Sequence, residues 1–287
     1  MFINQLKTKI MTKTKKRWSS APLPFQGQKR NFASNYREVL KQYPDCKIIV
    51  DLFGGSGLLA RISKDERPDA RVIFNDYDDF SKRIENIGNT NRLLHRFREV
   101  VKGVPRHKIL TKKEKEEIIA IIKKEIGYVD YITLSSSLLF SMKYELDIDG
   151  LTKQTFYNNI RMNDYPSADG YLDGIEIVKG DYKDIFAKYG NAPDVLYLID
   201  PPYLSTDCSS YNNSYWKLSD YLDVLRVLEG TNYVYFTSDK SSIVELCDWL
   251  GDGRVTRNPF IGAKMITVQE HQNPISSYTD IMLYKRA

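Results

Sequence analysis

KIIVDLFGGSG, residues 47–57, is the stretch on which the fold reading turns. Its first half is apolar and β-branched, its second half is a glycine cluster, and a helix-like segment follows from Leu58. RVIFN at 71–75 reads as a second strand. Strand, glycine turn, helix, strand is the opening of a doubly wound α/β domain, because parallel neighbours need a crossover and an amphipathic helix supplies one.

Upstream, order is expected from near Pro22, and residues 29–42 set Phe32, Tyr36, Val39 and Leu40 on one helical face. Downstream, IEIVKGD (175–181), VLYLID (195–200) and YVYFTS (233–238) read as buried strands. Helical segments at 218–229 and 242–250 separate and follow the last two, and MITVQE (265–270) with YTDIMLYK (278–285) would close the sheet as an antiparallel pair. Between the second and third strands lie about 90 residues, too many for a simple crossover and enough for a small helical lobe. Lys112 to Ile126 is its clearest amphipathic helix. The expected organisation is a basic, disordered tail at 1–20, an α/β domain at 21–80 and 171–287, and an inserted lobe at 81–170.

Composition narrows the class. The 287 residues are 42% hydrophobic and 28% charged, ordinary for a soluble enzyme, and no stretch approaches a membrane span. Cys46, Cys208 and Cys247 are scattered, which suggests neither disulfides nor a zinc knuckle and points to a reducing cytoplasm. The net charge of +5 permits a polyanionic partner without demanding one. Lys7, Lys9, Lys13, Lys15, Lys16 and Arg17 crowd the tail, which is either solvated or an arm for phosphates.

Four places suit chemistry. In Asp51-Leu52-Phe53-Gly54-Gly55-Ser56-Gly57 the glycines let a ligand approach the backbone. A GxGxxG fingerprint and a phosphate-binding lysine motif are both absent. Asp76 lies 19 residues beyond Gly57 at the end of the second strand, where an acid takes ribose hydroxyls or caps the next helix. Asp200-Pro201-Pro202-Tyr203 ends an apolar strand in a rigid turn. It offers a carboxylate, carbonyls and an aromatic face to a planar base bearing an amino group. Phe25, Gly27 and Lys29 precede the first helix, where the lysine is either solvated or holds a carboxylate.

In this order the four pieces resemble the Dam-like DNA adenine methyltransferases over about residues 22–285. The resemblance implies a Rossmann-like S-adenosylmethionine-dependent sheet with an inserted, mainly helical DNA-recognition lobe. It implies methyl transfer to adenine N6 of double-stranded DNA, with the base flipped out, and needs no metal, membrane or obligate protein partner. Asp200, Pro201, Pro202 and Tyr203 correspond to the catalytic DPPY motif. Asp51, Phe53, Gly54, Gly55 and Gly57 correspond to the donor's methionine site, Asp76 to its ribose acid, and Phe25, Gly27 and Lys29 to the upstream donor element. Asp181 corresponds to the acid near the donor adenine. Gln28 stands where a second glycine is common, and Leu52 where proline is usual. The basic stretch Arg92, Arg96, Arg98, Lys102, Arg106, Lys108 suits phosphates, as does the loop Arg254 to Lys264. Competing readings are an RNA adenine or cytosine-N4 methyltransferase, a non-catalytic DNA-binding relative, and a nicotinamide-linked oxidoreductase. The role could be restriction–modification or phage protection.

Overall fold

Side chains along the central strands alternate between two cores with the two-residue period of extended chain. Val195, Tyr197 and Ile199 go to one face of the sheet, and Leu196 and Leu198 to the other. Tyr233 and Tyr235 alternate with Val234 and Phe236 in the same way. All these side chains are buried, at roughly 1.5–3 kcal/mol for each large apolar group, which is why these strands read as continuous hydrophobic runs.

The structure is a computed structural model that describes residues 17–140, 143–204, 216–251, 258–273 and 276–287. Its seven strands are β1 (Ile48–Asp51), β2 (Arg71–Asn75), β3 (Ile175–Val178), β4 (Val195–Ile199), β5 (Asn232–Ser238), β6 (Lys264–Asn273) and β7 (Ser276–Lys285). Their order is β3-β2-β1-β4-β5-β7-β6. β1 to β5 are parallel, and β7 runs antiparallel to both β5 and β6. This is the Rossmann-like sheet that the resemblance implies. β3 departs from the expected buried strand: it lies at the sheet edge, and Ile177 is exposed.

Helices α1 (Ala33–Leu40) and α2 (Leu58–Glu66) cover one face. α8 (Tyr182–Tyr189), α9 (Leu218–Leu228) and α10 (Ile243–Gly251) cover the other. Between β2 and β3 come α3 (Phe80–Glu85), α4 (Ile87–Val100), α5 (Lys112–Lys123), α6 (Tyr131–Leu138) and α7 (Ile148–Lys153). α5 begins with a capping box, the Thr111 hydroxyl accepting from the Glu114 amide and the Glu114 carboxylate from the Thr111 amide. The insertion's Phe97, Ile118 and Leu134 share one apolar cluster with Phe74 and Leu198 of the sheet. Sheet and insertion therefore share one core. No described helix is long and apolar enough to cross a membrane.

Two boundaries shift. Trp18 is buried, its ring edge-on to Tyr171 at 4.8 Å, so the ordered chain starts before the expected limit of the tail at residue 20. Residues 1–16 of that tail lie outside the described residues. The helix expected at 29–42 is a 3-10 turn at Arg30–Phe32 followed by α1.

The strand order reverses between β1 and β4, whose hydrogen-bonded ends bring Asp51 level with Leu198. A cleft opens at such a switch point because the crossovers leave it toward opposite faces.

Candidate active site

A cavity of about 1430 Å³ occupies this switch point. Phe53, Gly54 and Gly55 line it from the end of β1, all of Asp200, Pro201, Pro202 and Tyr203 from the end of β4, and Phe25, Gly27 and Lys29 from upstream.

The glycine turn is dictated by packing as much as by any ligand. A Cβ on Gly54 would sit 2.2 Å from the Phe74 ring and 2.8 Å from the Asn75 carbonyl. Gly55 has φ +50°, and a Cβ there would press on the Phe25 ring. Gly57 lies just outside the cavity and caps α2 in a left-handed conformation, its amide donating to the Gly54 carbonyl at 2.7 Å. Leu52 is buried in the α8–α10 core, and the Gln28 side chain accepts from the Ala21 amide at 3.1 Å. Both departures from the Dam-like pattern thus serve packing or loop structure.

Lys29 does not project freely into the cavity. Its ammonium is 2.5 Å from Asp200 Oδ2, donates to the Gly27 carbonyl at 2.7 Å, and stands 5.4 Å from the Tyr203 ring centre. Burial pushes the Asp200 carboxyl above the usual carboxylate range, and Lys29 pulls it back. The Tyr203 carbonyl accepts from the Tyr221 hydroxyl of α9 at 3.4 Å, which ties the turn to the helix behind it.

Asp51 sits under the glycine turn, 1% exposed and outside the cavity wall, and neither carboxylate oxygen has a hydrogen-bond partner of ordinary geometry. Burial, reinforced by Asp200, pushes its pKa up to about 8 against the pull of the Ala60 amide and Lys29. On the far side of β4, Asp280 of β7 faces Ser238 of β5 across the antiparallel ladder, and both line the cavity. Burial raises Asp280 to about 6 against the opposing charge of Lys29, and the Ser238 hydroxyl is buried without a partner.

An aromatic wall completes the site. Tyr182 and Trp216 lie 6.0 Å apart and nearly parallel at 20°, and Phe53 is 4.9 Å from Tyr182. Asp181 lines the cavity beside them, and its carboxylate accepts from the Lys183 amide at 2.8 Å to cap α8.

Asp76 corrects the sequence reading. Its carboxylate accepts from the Phe80 amide at 2.6 Å, from the Ser81 amide at 2.9 Å and from the Ser81 hydroxyl, and it does not line the cavity. A buried acid beside unpaired amides at a helix start is drawn to them, so the capping role prevails. Tyr77 and Asp78 line the cavity instead, and Asp78 is raised by burial and by Asp76. Sequence reading also passed over Tyr182, Trp216, Ser238 and Asp280. Tyr182 adjoins the predicted Asp181, and Asp280 is a lone acid in an apolar strand; both were visible signals.

The basic stretch of the insertion stands away from the cavity wall. Within it, Arg92 donates to Asn89, Arg98 pairs with Asp164 at 2.7 Å, and Arg106 donates to the Ile160 carbonyl. The cations that do line the cavity are Arg30, Lys143, Lys183 and Lys240, besides Lys29. Of the loop at 254–264, residues 254–257 lie outside the described residues. Among the described residues no cluster of three His, Cys, Asp or Glu could hold a metal ion.

Residues 25–270 match the family model described as D12 class N6 adenine-specific DNA methyltransferase. The chain is also 37% identical over 289 residues to a protein of Haemophilus influenzae that bears the name "Putative methyltransferase". That alignment covers 98% of this chain and 97% of the relative.

Proposed function

The chain belongs to the D12 class of N6 adenine-specific DNA methyltransferases, and from that premise we propose which of its residues perform the reaction. The enzyme is an adenine-specific DNA methyltransferase, and its family implies S-adenosylmethionine as methyl donor and DNA as substrate.

The residues at the switch point fit that donor. Its cationic groups suit the carboxylate of Asp51, which lies behind the glycine turn rather than in the cavity wall and where a nearby positive charge would relieve the cost of a buried anion. Gly54 and Gly55 line the place for its methionine part, between Phe25 and Phe53. Asp78 takes the ribose hydroxyls, the role first assigned to Asp76. Tyr182, Trp216 and Phe53 stack on its adenine, beside Asp181. When bound, the donor supplies an electrophilic methyl group on a sulfonium.

The other half of the site prepares the nucleophile. Adenine N6 attacks poorly because its lone pair is delocalised into the ring. Asp200 and the Pro201 carbonyl accept hydrogen bonds from the two N6 hydrogens, which draws nitrogen toward tetrahedral geometry and localises the lone pair. Pro201 and Pro202 fix this turn and carry no N–H to repel the amino group. Tyr203 stacks on the base. Lys29 pairs with Asp200 and offsets part of the cost of burying its charge. Fixing donor and acceptor in line accounts for up to roughly 7–11 kcal/mol of the barrier.

In a duplex the amino group is out of reach of this turn, so the adenine is flipped into the cavity at a cost of a few kcal/mol. The insertion and the rim cations Arg30, Lys143 and Lys240 bind the flanking phosphates and offset that cost.

The observation that carries this reading is a single cavity walled by the glycine turn after β1 and by Asp200-Pro201-Pro202-Tyr203 after β4. The test is transfer of radiolabelled methyl from S-adenosylmethionine to unmethylated duplex DNA, with nucleoside mass analysis of the product. N6-methyladenine in DNA is the expected product. Label in RNA alone, or on cytosine, would overturn the substrate assignment.

A further inference from the structure

Arg83 is one of the largest fully buried side chains in the molecule, only 2% exposed, and it joins three segments that sequence keeps far apart. It starts from α3, just beyond β2. Its Nη2 donates to the Pro24 carbonyl at 2.7 Å, immediately before the Phe25–Lys29 segment of the donor site. Its Nε donates to Asp130 Oδ1 at 3.0 Å, and Nη2 also reaches the Thr133 hydroxyl at 3.2 Å. Asp130 is the cap of α6 in the insertion: Oδ1 accepts from the Thr133 amide at 3.0 Å, and Oδ2 from the Thr133 hydroxyl at 2.6 Å.

The path continues into the cavity. Phe25 packs edge-on against Phe80 at 5.8 Å, and its ring occupies the space above Gly55. The Arg83 guanidinium lies 5.1 Å from the same Phe80 ring. The gap between insertion and donor segment is not filled by side chains. A second cavity of about 650 Å³ lies there, walled by Arg83, Asp130 and Tyr128, and it shares Phe25, Asp78 and Tyr144 with the catalytic cavity. Across an unfilled gap, packing transmits little, and the charged hydrogen bonds of one guanidinium fix the relative position of the two walls.

We infer that Arg83 is a positioning residue: through Pro24 it sets the Phe25–Lys29 wall of the donor site, and through Asp130 it makes that wall depend on the insertion. This rests on the donor site proposed above. Asp130 and Thr133 line no part of the catalytic cavity, yet their substitution should be felt by the donor.

The experiment titrates S-adenosylmethionine calorimetrically into the full chain without DNA, below the melting temperature of each variant. Wild type is compared with Arg83→Lys, Asp130→Asn and Thr133→Val. Asp130→Asn retains a side-chain acceptor for the Thr133 amide, removes the charge facing Arg83 and replaces the oxygen that accepts from the Thr133 hydroxyl with an N–H donor. Donor affinity should fall about tenfold in Arg83→Lys and Asp130→Asn, and less in Thr133→Val, within the range that coupling between sites spans. The maximal rate at saturating donor and DNA should be largely retained, because no group touching the reacting atoms has changed. Folded variants with lower melting temperatures but wild-type donor affinity would make Arg83 a purely structural residue and overturn the inference. Should Arg83→Lys fail to fold, Asp130→Asn and Thr133→Val decide by the same reading. Absence of donor binding in wild type would instead overturn the donor site itself, and the inference with it.

Discussion

At the end of β1, Asp51 keeps two buried oxygens that meet no hydrogen-bond partner, whereas in the insertion Asp130 accepts from Arg83, the Thr133 amide and the Thr133 hydroxyl. The same contrast separates Ser238, whose buried hydroxyl is unpaired, from Arg61 of α2, which donates to the carbonyls of Gly170, Tyr171 and Asp173 where the chain leaves the insertion. Tyr171 in turn donates to the Ser56 carbonyl of the glycine turn at 2.9 Å. Asp130 and Arg61 are thus spent on holding the molecule together. Asp51 and Ser238, at the ends of β1 and β5, are held open at a cost, which is where a charged or polar ligand gains most.

The sharpest way to break this contrast is Asp200→Ala. Methyl transfer should fall by about 10³-fold, the scale of losing a charge-stabilising group at a reacting centre, while donor binding is largely kept. Near-normal transfer in the radiolabel assay would remove Asp200 from the chemistry.

Asp51 gives the next effect. The folded protein keeps a proton on Asp51 up to about pH 8, while the unfolded chain loses it above about pH 4. Stability of the ligand-free protein should therefore fall as pH rises between those values and level off above, at no more than about 1.4 kcal/mol per pH unit. Asp51→Asn should flatten that dependence in thermal melts at pH 5 and pH 8, and should weaken donor binding. An unchanged pH dependence would mean that Asp51 is already paired.

Tyr182→Ala and Trp216→Ala sharpen the comparison within the cavity. Each should weaken donor binding by roughly 1–3 kcal/mol, the range for one base stacked on one aromatic ring. Gly54→Ala should lower stability by about 1–3 kcal/mol through overlap with Phe74, and Phe74→Leu in the same chain should restore part of it. If the double variant is no better than the single one, the overlap is not the cause.

The smallest effect belongs to the insertion's surface. Lys112 and Glu116 of α5 are both exposed and 3.8 Å apart, so Lys112→Ala should change stability by less than about 0.5 kcal/mol. A larger loss in a denaturant melt would show that this surface carries more of the fold than its exposure suggests.

Much of the sheet was legible because its signals are local. The apolar runs at 47–53, 71–75, 195–200 and 233–238 each lie within a residue or two of an observed strand, and the closing antiparallel pair is β6 with β7. The edge position of β3 was not legible, since a run of alternating Ile and Glu fits a half-covered edge as well as a covered strand. In the site, the DPPY turn, Gly54 and Gly55 line one cavity, and Gly57 lies just outside it. Asp76 and Asp78 are two residues apart in a four-residue segment of three acids and one tyrosine, and nothing local distinguishes the cap from the cavity acid. Tyr182 meets Trp216 across a chain separation that no short motif spans.

The sequence by itself determined the parallel sheet and the turn after each key strand, because hydrophobic period, glycine and proline act over a few residues; the kind of reaction was implied by the resemblance that the DPPY turn and the glycine segment carry. Only the tertiary structure decided which acid lines the cavity, that Lys29 pairs with Asp200, and that Arg83 ties Pro24 to the cap of α6. The physical reason is that burial and hydrogen-bond partnership belong to positions in space, and a charge takes its role from whichever partner the folded chain brings within about 3 Å.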